Sequence, residues 1–266
     1  MGRAGITAKD ATIKNLYHPS MKIEDQGKYL DFLRSLNAEQ SGKSQADKDY
    51  EATLNSFELG WRMQNFAPEV LDLSRETKST LDDYGIGNAT TDNYGRLCLM
   101  ARRLAEADVR YIQVNYGDNT NNPAWDQHSN LPKHADHAKA VDKPIAALLG
   151  DLKKRGLLED TLVWFGGEFG RTNYCQGALT KDNYGRDHHP KCFTIWMAGG
   201  GVKPGVHGET DDFGYNINSL PVHVHDFHAT IMHLMGIKHE EFTYKHLGRR
   251  YRLTDVSGNV INDLIS

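Results

Sequence analysis

The apolar positions fall into two textures along the chain. Up to about Thr91 they recur at helical spacing. Tyr29, Leu30, Phe32, Leu33 and Leu36 form one face, and Leu54, Phe57 and Trp61 form another that should break at Ala67-Pro68. The polar stretch EQSGKSQADKD separates these two helices. This first region, residues 1–91, reads as a mainly helical cap or insert. From Asp92 onward, helical runs alternate with short runs of β-branched and aromatic residues. A helix over Tyr94–Ala107 leads into VRYIQVNY at Val109–Tyr116, which reads as a buried strand. A long helix from about His134 to Arg155 stops at Gly156, a residue suited to a helix C-terminus. Strands follow at Thr161–Gly167 and Cys192–Gly201, then a helix over Asp226–Met235 and a hairpin near Ser257-Gly258. Such alternation predicts an α/β domain over residues 92–266 with a largely parallel sheet.

In parallel α/β sheets, ligands bind beyond the carboxyl ends of the strands. The chain carries polar clusters there. Asp126-Gln127-His128 follows the first strand, and Glu168-Phe169-Gly170-Arg171 follows the second. Arg186-Asp187-His188-His189 lies in the long loop before the third. Carboxylate with imidazole suits Zn²⁺ or Mn²⁺ better than Ca²⁺ or Mg²⁺. A metal held there polarises a phosphoryl or sulfuryl oxygen or acidifies a bound water. Each motif alone has a commoner role: Asp126 and His128 as loop polar groups, Glu168 as an ion-pair partner of Arg171, Asp226 as a helix N-cap. Their convergence after successive strands is the stronger signal.

Composition narrows the function classes. With 266 residues, 39% hydrophobic and 25% charged, the chain is ordinary for a globular protein. A net charge of −4 argues against a general nucleic-acid binder. Three widely spaced cysteines imply no disulfide framework, and no apolar stretch is long enough to span a membrane. The N-terminus lacks the apolar core of a signal peptide, which, taken literally, keeps the chain in the cytoplasm. The anomaly is the thirteen histidines, concentrated between His128 and His246.

At these clusters the sequence resembles the C-terminal half of the alkaline phosphatase/sulfatase superfamily. It is most similar to a bacterial family of sulfatase-like exported proteins classed as a domain of unknown function. The phrases that carry the likeness are FELGWRMQNFAPEVLDLS, LLEDTLVWFGGEFGRT, GRDHHPKCFTIWMAGGGVKPG, PVHVHDFHATIMHLMG and YRLTDVSGNVI. The resemblance implies an alkaline-phosphatase-like, doubly wound, largely parallel sheet. It also implies a divalent metal on Asp126, His128 and His188, with His189 as the near alternative and Asp187 beside them. By the same likeness Glu168 becomes a ligand or base and Arg171 an oxyanion-binding group. His223 and His225 become residues of the site rim. Phe169 stands where the superfamily has a histidine ligand, so one metal site is expected rather than two. The superfamily's nucleophile finds no counterpart in this chain. The implied activity is hydrolysis of sulfate or phosphate esters, polysaccharide esters among them, in the periplasm or outside the cell. A non-catalytic sulfatase-like binding or assembly module is the alternative. A sheet lacking its first strands exposes an edge, which a second copy would cover in a homo-oligomer.

Overall fold

The computed structural model describes residues 7–41, 48–117 and 123–266. The middle of the polar connector, at 42–47, and the start of the loop after Tyr116, at 118–122, lie outside the described residues. The chain divides into two compact units, residues 1–115 and 116–266.

The first unit is helical. Helices α1 (Ile23–Ser41) and α2 (Lys48–Leu71) carry the two apolar periodicities. The Trp61 indole donates to the Ile23 carbonyl across them at 2.8 Å. Helix α2 does not break at Ala67-Pro68 but runs on to Leu71. A proline removes one helical hydrogen bond without obliging the helix to end there. The short α3 (Lys78–Asp83) is capped by the Thr77 side chain. Helix α4 (Asp92–Glu106) holds the buried core of the unit with Tyr94, Cys98, Leu99 and Met100. Its buried face also contains Arg102.

In the second unit, α5 (His134–Lys154) buries His137, Ala140, Val141 and Leu152, and Gly156 follows it at φ 71°. Strand β1 (Val163–Phe165) pairs antiparallel with β4 (Trp196–Ala198), and β2 (Gly170–Arg171) with β3 (His188–His189). Strand β5 (Glu209–Thr210) pairs with β6 (Ile217–Ser219). Helix α6 (Val224–Leu234) precedes a hairpin of β7 (Thr243–His246) and β8 (Arg249–Arg252).

The doubly wound, largely parallel sheet is therefore overturned. Every pairing among the described strands is antiparallel and two-stranded. Val109–Asn115 shows why the pattern misleads. Ile112 and Val114 are half-buried and alternate with exposed Tyr111, Gln113 and Asn115, the period-2 signature of a strand. Yet the segment joins no ladder. Side-chain alternation reports an extended backbone, whereas a sheet also needs a neighbour to accept and donate hydrogen bonds. The hairpin, too, is displaced from Ser257-Gly258 to a turn at Leu247-Gly248, where both residues take positive φ. No described helix is long and apolar enough to cross a membrane.

Candidate metal centre

Three segments of the second unit build the centre. The first, 123–131, is an irregular loop. Asp126 N–H donates to the Pro123 carbonyl and His128 N–H to the Asp126 carbonyl, at 3.0 and 2.9 Å. This tight turn turns the Asp126 and His128 side chains toward each other. Trp125, just before it, adopts a left-handed φ of 71°. A bulky residue in that region is strained, and such strain persists only where the surroundings hold it.

The second and third segments are β2 and β3. Their register sets Arg171 opposite His188 and Gly170 opposite His189. The ladder is possible because residue 170 has no side chain: a Cβ there would lie 2.0 Å from the Cys192 carbonyl oxygen. The first and third segments are zipped along their backbones. Arg186 N–H donates to the Gln127 carbonyl, Leu131 N–H to Tyr184 and Asn130 N–H to the Asn183 side chain. At Gly185 the two chains touch so closely that a Cβ would lie 2.0 Å from the carbonyl carbon and oxygen of His128.

The result is a group in which Asp126, His128 and His188 each present a ligand atom, all within 4.8 Å of one another. His188 Nε2 lies 3.1 Å from Asp126 Oδ1 and His128 Nδ1 3.3 Å from the same oxygen. Arg171 Nη2 also bonds Asp126 Oδ1. Burial raises the Asp126 carboxyl, but the hydrogen bonds of Arg171 and His188 and the charges of Arg171 and His128 outweigh it and hold the group below the ordinary aspartate range. A carboxylate and two imidazoles form a donor set fit for a transition metal with one position left open.

Support comes from beneath. Gln127, between two ligand residues, is 1% exposed. Its Nε2 donates to the Pro123 carbonyl at 3.0 Å and to His137 Nε2 at 3.3 Å. An amide nitrogen only donates, so His137 Nε2 accepts and its Nδ1–H faces the Tyr116 hydroxyl at 3.1 Å. Helix α5 thereby anchors the ligand loop. His134, one turn earlier, packs against Trp125. Burial is the main cause that lowers its pKa; it outweighs a hydrogen bond to the Trp125 backbone that raises it, and nearby His137, Arg171 and Arg186 lower it further. Trp125 Nε1, Gln127 Oε1, His134 Nε2 and Arg171 Nη1 are buried without a hydrogen-bond partner among the described residues.

The other expected residues fall outside the ligand group. Adjacent residues of a strand face opposite ways. Hence His189, next to His188, turns to the Tyr215 carbonyl at 2.6 Å and stacks on the Tyr215 ring. Asp187 is occupied by the loop: its carboxylate accepts the His188 N–H, and its backbone pairs with Thr172. Glu168 is exposed and away from the three ligand atoms. Phe169, which supplies no ligand, packs on the His188 ring with centroids 4.6 Å apart. His223 and His225 sit at the start of α6, rings 4.8 Å apart, and His223 lines a different cleft with Glu240 and Arg252. The cap of α6 is His223, not Asp226; its Nδ1 accepts the His225 N–H at 3.2 Å. Asp226 instead accepts the Asn259 N–H at 2.8 Å. Gln127, His137 and Gly185 carry no sequence signal of a site beyond their nearness to Asp126 and His188.

No curated protein and no solved structure matches the chain. One family model does, over residues 4–265, nearly the whole length. The chain accordingly belongs to the family described as proteins of unknown function, DUF1501.

Proposed function

We propose that the second unit is a metal-dependent hydrolase centre for sulfate or phosphate esters. Asp126, His128 and His188 bind the metal, and Zn²⁺ or Mn²⁺ fits a set of one carboxylate and two imidazoles. Bound there, the metal supplies a Lewis acid and an acidified water. The chain's own residues do the rest. Arg171 binds the ester oxyanion, for which its planar fork of donors is suited. Phe169 fixes the His188 ring, and the Gln127–His137–Tyr116 chain fixes the loop between the two other ligands. The likeness to the sulfatase superfamily supports the choice of ester.

The observation that carries the proposal is the convergence of Asp126, His128 and His188 on one point beside Arg171, whose Nη1 is buried and lacks an acceptor among the described residues. A second reading, a binding module that keeps the metal and anion without turnover, is favoured by Glu168. That carboxylate, the expected base, is exposed and outside the ligand group.

Elemental analysis of the purified protein and of His188→Ala tests the centre. Stoichiometric metal, lost in the variant, is the expected result; no metal in either overturns the ligand assignment. A panel of sulfate and phosphate monoesters, assayed with added Zn²⁺ or Mn²⁺, then separates the readings. Turnover lost in His188→Ala supports the hydrolase, and anion binding without turnover supports the module.

A further inference from the structure

Asp126 Oδ1 is oversubscribed. It accepts from Arg171 Nη2 and from His188 Nε2, with His128 Nδ1 3.3 Å away. A carboxylate oxygen offers about two lone-pair sites. A metal on the triad takes one of them, ends the His188 hydrogen bond because a ligating nitrogen no longer donates, and places a second positive charge beside the guanidinium, where the two repel strongly at such short range. The Arg171 side chain is only 17% exposed, so it cannot simply extend into water. Its Nη1 has no acceptor among the described residues, and release from Asp126 deprives Nη2 of one as well. Buried donors left unsatisfied are costly. A tetrahedral oxyanion presents two oxygens to such a fork and relieves both at once.

The geometry points to Arg171 as a displaceable counter-ion that couples metal binding to oxyanion binding at this centre. The inference rests on the metal reading above and adds to it. Metal entry frees Arg171 for the anion, and the anion, by holding Arg171 off Asp126, makes room for the metal. The coupling is reciprocal by linkage. The ligand class is a tetrahedral oxyanion, free sulfate or phosphate or the same group on an ester. The β2–β3 register keeps Arg171 opposite His188, so the exchange needs only a side-chain motion.

Calorimetric titration with Mn²⁺, with and without saturating sulfate, tests the coupling in the wild type, Arg171→Met and Arg171→Lys. Sulfate should tighten wild-type Mn²⁺ binding about tenfold, within the usual range of allosteric couplings. Without sulfate, Arg171→Met should bind Mn²⁺ about tenfold more tightly than the wild type, and its response to sulfate should fall below about twofold. Weaker Mn²⁺ binding by a folded Arg171→Met, or a sulfate response that survives in it, overturns the inference while leaving the metal site standing. If Arg171→Met does not fold, Arg171→Lys decides. Lysine keeps the charge but loses the fork, so the sulfate response should drop while sulfate-free affinity stays within about threefold of wild type. An undiminished response in Arg171→Lys overturns the inference. Failure of the wild type to take up either Mn²⁺ or Zn²⁺ overturns the metal reading and this inference with it.

Discussion

Each unit contains a cluster of arginines and carboxylates, and the two are built on opposite terms. In the first unit Glu76 receives Arg102 at 2.7 Å and Arg103 at 2.6 Å, and Glu106 bonds Arg102 as well. Arg103 spends its remaining nitrogens on the backbone carbonyls of Val70 and Glu69. The Arg102 and Glu76 side chains are 2% and 8% exposed. Burial works against the Arg102 charge, but the hydrogen bonds and charges of Glu106 and Glu76 outweigh it and raise its pKa. In the second unit Asp126 is 38% exposed and shared by Arg171 and His188. A closed cluster answers its own charges and holds helices together. An open cluster leaves ligand atoms within reach of solvent to be answered from outside, which is what a binding centre requires.

The comparison breaks most visibly if the closed cluster is opened. Glu76→Ala leaves Arg102 buried without one of its two carboxylates. Removing one partner of a buried pair costs about 3–5 kcal/mol. Urea unfolding of the variant should show a loss of that size, whereas Glu76→Gln, which still accepts a hydrogen bond, should lose less. A loss below about 1 kcal/mol, the level of exposed pairs, would mean that the cluster is not closed in solution.

Gly185→Ala comes next. The added Cβ meets the His128 backbone at 2.0 Å, and neither chain can yield without moving a ligand residue. Overpacking of this kind costs about 1–3 kcal/mol. The sharper readout is metal uptake, which should fall well beyond the change in stability. Normal metal content in Gly185→Ala would detach the 183–188 backbone from the centre's geometry.

Gln127→Ala should act on the centre more than on the fold. It removes the amide that ties the ligand loop to Pro123 and His137. Partners of this supporting kind are typically worth about 10–100-fold in metal affinity. Titration of Zn²⁺ or Mn²⁺ into the variant measures the loss directly, and an unchanged affinity would remove Gln127 from the account.

These residues also mark how far the sequence could be read. The ligand types were legible: Asp126, His128 and His188 lie after or before strand-like runs, and together they offer the oxygen and nitrogen donors that suit a transition metal. The helices α1, α2, α4, α5 and α6 fall where apolar spacing puts them, since helical hydrogen bonds close within a segment. Pairing was not legible. The strand-like Val109–Tyr116 has the right alternation and no ladder, and β1 meets β4 antiparallel. The choice between His188 and His189 depended on which face of a two-residue strand looks toward Asp126, a matter of register that adjacent histidines do not reveal. Gly185 matters through His128, which is distant in sequence, and Gln127 through the Pro123 carbonyl and His137, contacts that its residue type does not announce.

The smallest effect is expected at Asp126 itself, and it is the most telling. Asp126→Asn removes a part-exposed ion pair, so unfolding free energy at neutral pH should change by less than about 1 kcal/mol, although metal binding should vanish. Acid dependence sharpens the contrast. The pKa values of Glu76 and Asp126 are both lowered in the fold. Each therefore contributes stability above its unfolded pKa, and that contribution is lost as pH falls through the folded value. For both the loss begins near pH 4 and extends below it. Glu76→Ala should flatten this acid limb far more than Asp126→Asn, because Glu76 is buried with two arginines and Asp126 is screened by solvent. Urea midpoints of the three proteins, followed from neutral pH down to about pH 3, below the ordinary carboxylate range, provide the check. Equal flattening by the two substitutions would show that the Asp126 cluster is as self-sufficient as the Glu76 one, and the distinction between closed and open would fall.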